Sequence, residues 1–113
     1  MANTFRMDTK ANLVTDAVTL STTNVLTATS SGTLVILSIL VSNKTGSSAN
    51  VDVYLVTNVG DDVYLIRNAP VPSGSSLDLI QSNKYILESS DVLRARSDTA
   101  NALDIAVSYL ELV

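Results

Sequence analysis

The run GTLVILSILVSN, residues 32–43, constrains the fold more than any other stretch, because it is apolar in both phases of a strand. A half-buried strand alternates, since successive side chains point to opposite sides of a sheet. Here Leu34, Ile36 and Leu40 occupy one phase with Ser38, and Val35, Leu37, Ile39 and Val41 occupy the other. A strand of this kind needs cover on both sides. Three covers are open: a second sheet of the same domain, a sister subunit, or a larger surface on which the domain sits.

The rest of the chain is patterned in the same currency of short runs. Segments rich in Val, Leu, Ile and Thr recur about every ten residues between clusters of Asn, Ser, Gly and Asp, the spacing of an antiparallel sandwich or barrel. The expectation is a single all-β domain of about eight strands, an antiparallel β-sandwich of jelly-roll-like form. Strands are expected over residues 11–15, 24–28, 33–42, 50–57, 62–68, 76–80, 84–87, 91–97 and 103–112, with residues 1–12 as an N-terminal arm or edge segment ahead of a sandwich over residues 13–113. At 113 residues the chain has room for one ordinary domain and its core.

Two hairpins can be given a register. With NVGD, residues 58–61, as a loop, Val53 faces Ile66, Leu55 faces Tyr64 and Asp52 faces Arg67; Tyr54, Val56, Val63 and Leu65 then make a second apolar face. With DTANA, residues 98–102, as a loop, Leu93 faces Val107, Ala95 faces Ile105 and Arg96 faces Asp104, leaving a wet outer face. PVPSGSS, residues 70–76, has two prolines and Gly74 and reads as a corner, not a central strand. A competing reading makes Ser75 and Asp78 a capping box opening a helix lined by Leu77, Ile80 and Ile86.

Composition limits the chemistry. There is no Cys and no His, which removes disulfides, thiolate sites and the commonest general base and metal ligand near neutral pH. A net charge of −4, with basic residues scattered singly apart from Arg94 and Arg96, gives no footprint for a phosphate backbone, so no nucleic-acid partner is expected. The longest apolar run falls far short of the roughly 20 residues of a membrane helix, and MANTFRMDTK has no apolar region behind Arg6 and Lys10. A soluble protein that neither enters a membrane nor uses a signal peptide is expected. Charged residues are 16% of the chain, while Ser and Thr fill 27 of 113 positions, a weakly charged surface suited to close packing of subunits.

Constellations with chemical potential are few. Asp61 and Asp62 can hold a hard cation, or they can simply form a solvated hairpin tip; no spaced Asp/Asn series follows them. Glu88 and Asp91 flank two serines as an acid pair or as a turn. Asn43-Lys44-Thr45 matches a glycosylation sequon. Arg94 and Arg96, on one side of a strand, can grip carboxylates of a partner or pair with Asp104 inside the chain. No nucleophile motif is present, so no enzyme, cofactor or metal is expected, and the interface candidates are Val35, Leu37, Ile39, Val41, Tyr54, Val56, Val63, Leu65, Arg94 and Arg96.

VSNKTGSSANVDVYLV, then PVPSGSSLDLI, then KYILESSDVLRARSDTANALDIAVSYLEL resemble a pattern in small β-sandwich structural proteins of tailed bacteriophages, especially marine and cyanobacterial ones. The matching residues are Val41, Asn43, Gly46, Ala49, Pro72, Gly74, Leu77, Leu87, Glu88, Asp91, Ala100, Asn101, Ser108 and Glu111, within residues 24–112; Ser90 stands where Gly is more usual. The resemblance implies a non-enzymatic virion component made in the host cytoplasm. Its implied role is a capsid decoration (cement) protein on the head surface, with itself as a homotrimer and the major capsid protein as partners. A neck, tail or fibre-associated component is an alternative, and so is a receptor- or carbohydrate-binding module, although the loops are poor in aromatics.

Overall fold

The computed structural model describes residues 3–13, 23–28, 32–79 and 84–112. They form nine strands: β1 (Asn3–Lys10), β2 (Thr23–Thr27), β3 (Thr33–Asn43), β4 (Ala49–Val56), β5 (Asp62–Val71), β6 (Ser76–Asp78), β7 (Tyr85–Leu87), β8 (Val92–Ser97) and β9 (Leu103–Leu112). Every pairing is antiparallel, and no helix occurs among the described residues. Sheet I has the order β1-β9-β3, with β6 and β7 sharing the far edge of β3; sheet II has the order β2-β8-β4-β5. Since β6 pairs with Leu40–Ser42 and β7 with Leu34–Ile36, the two short strands are one interrupted strand. Counted so, eight positions in these two orders make a jelly roll, two Greek keys rolled into facing sheets.

The core lies between the sheets. Leu34, Ile36, Ile39 and Val41 of β3 and Leu103, Ile105 and Val107 of β9 meet Val51 and Val53 of β4 and Leu93 and Ala95 of β8, all buried. Removing one such aliphatic side chain from water contributes about 1.5–3 kcal/mol. The inward residues of β3 change phase midway, because an irregularity between Ile36 and Ser38 gives β3 one residue more than β9 at this point. Leu37 is that residue, and this bulge is why both phases of the run are apolar: Leu34 and Ile36 point inward before it, Ile39 and Val41 after it.

At the corners, side chains tie the sheets. Asn43, only 3% exposed, donates to the carbonyls of Ser47 and Val71 and accepts from the amide and hydroxyl of Thr45. Its amide nitrogen is thus taken up inside the protein, which leaves the sequon without an accessible acceptor. Pro70 falls on the edge strand β5, where a missing donor costs no ladder bond, and Gly74 turns with φ 71°. Ser90 takes φ 68°, a left-handed conformation that favours Gly, so the serine bears some backbone strain at that turn.

Several expectations are corrected. Residues 76–78 form strand β6, so the described part of the capping-box segment is not helical. Ala11, Asn12 and Leu13 lie outside any strand, while the remaining two positions expected in that strand, and Ile80, fall outside the described residues. The β4–β5 register keeps Val53 opposite Ile66 but then slips: Leu65 is extra, Tyr54 faces Tyr64 and Leu55 faces Val63. A second shift leaves Asp52 facing both Arg67 and Asn68, and its carboxylate accepts from the Asn68 amide and from Arg96.

The largest correction concerns residues 92–112. β8 and β9 are not a hairpin; they sit in different sheets, joined by an arch over residues 98–102. Hairpin and arch demand the same alternation, since both turn Leu93, Ala95, Ile105 and Val107 inward, so the pattern cannot distinguish them. The arch is fastened to β4 by the Asp98 amide on the Asn50 carbonyl and the Asn50 amide on the Asp98 carboxylate.

Candidate functional site

Each sheet has an outer face, and the two differ. On sheet I the registers align Phe5 with Leu110, Leu110 with Val35 and Val35 with Ile86, a transverse row across β1, β9, β3 and β7. Directly opposed residues share a face, and Phe5 and Ile86 at its ends are 74% and 56% exposed. The next row holds Met7, Ser108 and Ser38, the two serine hydroxyls 2.6 Å apart. A third holds Thr9, Ala106, Leu40 and Asp78. Beyond it a shallow groove of about 220 Å³ opens between Thr9, Leu40, Ser42, Asp104 and Ala106. Four of the six large apolar side chains exposed among the described residues, Phe5, Met7, Leu40 and Ile86, lie on this face.

β1 sharpens the point because its amphipathicity is reversed. Thr4, Arg6, Asp8 and Lys10 stand opposite Glu111, Tyr109, Val107 and Ile105, on the side turned toward sheet II, while Phe5 and Met7 point away from the sandwich. An edge strand serving only its own core would do the opposite. Arg6 reaches Glu111 at 3.1 Å. Tyr109 is buried, which pushes its hydroxyl above the usual tyrosine pKa, and the carboxylates of Asp8 and Glu111 push the same way.

The outer face of sheet II is closed by its own side chains. Tyr54 and Tyr64 stack with centroids 4.8 Å apart, the Arg67 guanidinium lies 5.1 Å over Tyr64, and that of Arg96 lies 5.8 Å from the Tyr54 ring. Arg96 Nε also meets Asp52 Oδ2 at 2.8 Å, and its Nη2 donates to the Tyr64 hydroxyl at 3.3 Å. The Asp52 hydrogen bond holds the Arg96 pKa above its ordinary value, with burial acting the other way. Tyr54 is only 4% exposed although it lies outside the inter-sheet core. Such a layer combines ring stacking, cation–π contact and a charge-assisted pair.

The sequence-derived candidates therefore divide. Val35 lies on the open face of sheet I, and Leu37 is the half-buried bulge residue beside it. Ile39 and Val41 are fully buried in the core, where the bulge turns them, and cannot line an interface. Leu65 packs against the core as the extra residue of β5, and Tyr54 and Arg96 are taken up by the aromatic layer; Arg96 pairs with Asp52, not Asp104. Arg94 stands half-buried opposite Tyr54, Val56 is half-buried on the same side, and Val63 is exposed beside the β4–β5 turn. Sequence reasoning missed Phe5, Met7, Leu40, Ile86 and Leu110. The available signal was the period-two alternation of Phe5 and Met7 with Arg6, Asp8 and Lys10.

The acidic candidates have structural partners. The Asp91 carboxylate accepts from the amides of Asn58 and Glu88, tying two loops, while Asp61 closes a turn with its backbone, its carbonyl accepting from the Thr57 amide and its amide donating to the Thr57 hydroxyl. Among the described residues no three or more acidic side chains converge as a cation site would require. No protein-family model, curated protein or solved structure matches this chain.

Proposed function

We propose that this chain is a non-enzymatic structural protein of a phage virion, a capsid decoration protein that binds the head surface and bridges major capsid subunits through the outer face of sheet I. The observation that carries the reading is the open apolar row Phe5–Leu110–Val35–Ile86 together with the reversed amphipathicity of β1. A soluble domain of this size rarely leaves so continuous an apolar face without a partner. The jelly roll adds an argument by analogy of fold alone, since it recurs in capsid proteins but also in lectins and cupins.

The mechanism is adhesion. Apolar area removed from water contributes roughly 25 cal/mol per Å², and repeated identical sites multiply a small gain over a shell. The stacked tyrosines on the other sheet keep that face from competing for the same contact. Cosedimentation of the purified protein with isolated heads tests the reading: binding is expected for the wild type and a loss of at least tenfold in affinity for Val35→Asp. Heads that fail to bind the wild type, or mass spectrometry placing the protein only in tails, would overturn it.

A further inference from the structure

Sheets expose edges, and natural proteins protect them by shortness, bulges, proline or charge. Among the described residues, three of the four edges follow that rule. β5 has two extra residues and Pro70, β2 has five residues and a register shift, and β6 and β7 have three residues each. β1 differs: it runs for eight residues without proline or irregularity, and among the described residues it pairs only with β9.

We propose that β1 is the pairing edge of a two-fold homodimer, in which β1 of one copy lies antiparallel to β1 of a second and sheet I becomes one continuous sheet across both. Opposed residues must share a face if the apolar rows are to continue, which leaves only registers centred on a residue. Centring on Arg6 sets like charges together. Centring on Asp8 does so twice, opposing the two Asp8 carboxylates and setting Arg6 against Lys10. Centring on Phe5 or Thr9 leaves an overlap of at most five residues. Centring on Met7 pairs residues 4–10 of both copies and sets Arg6 of each opposite Asp8 of the other, two symmetric ion pairs, with Met7 against Met7 on the apolar side. The alternation of sign along Arg6, Asp8 and Lys10, which would protect the edge if all three were alike, selects this register.

Size points the same way. A face four strands wide, at about 4.8 Å per strand and about eight residues of 3.4 Å, covers ~500 Å². That is below the roughly 800 Å² each partner gives to a stable interface, whereas two joined faces exceed it. The pairing therefore deepens the decoration reading by building a platform large enough to hold a shell, with a two-fold in place of the expected trimer. It rests on that reading only for what the platform binds.

Because the chain has no cysteine, cross-linking reports the register without background. Met7→Cys puts two thiols directly opposite, at a Cα separation of about 4.5–5.5 Å, inside the range a disulfide spans; Phe5→Cys places them about four residues apart. The expected results are a dimer in sedimentation equilibrium, an oxidised covalent dimer for Met7→Cys and none for Phe5→Cys. Arg6→Asp alone and Asp8→Arg alone should each shift the protein to folded monomer, at least tenfold weaker in association, and the double reversal should restore the dimer. A wild-type monomer or trimer, cross-linking through Phe5→Cys, or no rescue by the double reversal overturns the proposal. A dimer that ignores heads would sink the decoration reading instead, and a monomer that binds heads would sink only the pairing.

Discussion

The outer faces of the two sheets start from similar sequences and end differently. β4 carries Tyr54 and Val56 outward, and β3 carries Val35 and Leu40 outward, so both strands look apolar in both phases. On sheet II the polar neighbours answer this: Asp52, Tyr64, Arg67 and Arg96 fold over Tyr54 and leave it 4% exposed. On sheet I the neighbours of Val35 are Leu110 and Ile86, and the nearest hydroxyls, Ser38 and Ser108, bond to each other. One face is satisfied within the chain and the other keeps its apolar row open. Apolar residues in both phases thus say that a face needs cover, and only the residues on adjacent strands say whether the chain supplies it.

One charge placed on each side of β3 should separate the two faces most clearly. Ile39→Asp buries a carboxylate with no partner in the core and should cost several kcal/mol, enough to unfold a domain of this size. Val35→Asp puts the same charge on the outer face and should change stability by less than about 1 kcal/mol while abolishing attachment. Urea denaturation separates them. Equal losses for the two would mean that the outer face of sheet I is covered within the monomer and that the difference between the sheets is false.

A smaller effect probes the closed face. Asp52→Ala removes the carboxylate that holds Arg96 and the Asn68 amide, leaving a partly buried guanidinium short of a partner; a cost of about 1–3 kcal/mol is expected. Tyr64→Phe keeps the stack and removes only one hydroxyl contact, so it should cost less than about 1.5 kcal/mol. Neither change should affect attachment or dimerisation. If Asp52→Ala left stability unchanged, the layer over Tyr54 would be a loose surface arrangement and sheet II would need an external cover as well.

Much of the fold was legible because turn residues and alternation are local. The pattern bounds β9 at residues 103–112 and β3 within one residue. What could not be read was relational. The bulge at Leu37 is invisible, since any residue of a run apolar in both phases can be the extra one, and so strict alternation puts Ile39 and Val41 on the wrong face. The arch over residues 98–102 reads as a hairpin because Arg96 and Asp104 offer opposite charges at a plausible register, yet each finds its partner elsewhere, in Asp52 and Lys44. Residues 1–12 read equally as an arm or an edge segment because their apolar residues are few, and the meaning of Phe5 and Met7 depends on which side of the sheet the sandwich lies.

The least effect expected concerns the rim of the open face. Asp104, at the end of the groove, accepts from Lys44 Nζ at 2.8 Å and from the Asn12 amide at 2.8 Å, and Lys44 also reaches the Asn12 side chain. The Lys44 hydrogen bond, then that from Asn12, lowers the Asp104 pKa below the ordinary aspartate value, so the folded state holds its proton more weakly than the unfolded chain. The sign follows: this stabilisation is present above the unfolded pKa, about 3.9, and is lost as the pH falls through the lower folded value. The carboxylate is over a third exposed, so solvent screens the effect. It should appear as an NMR titration of Asp104 below the aspartate range, with faster amide exchange at Asn12 on the acid side, and both should vanish in Asp104→Asn. Asp52→Ala should leave this titration unchanged, because Asp104 draws its partners from Lys44 and Asn12 and not from the layer over Tyr54; a displaced Asp104 titration in that variant would join the two faces into one electrostatic unit.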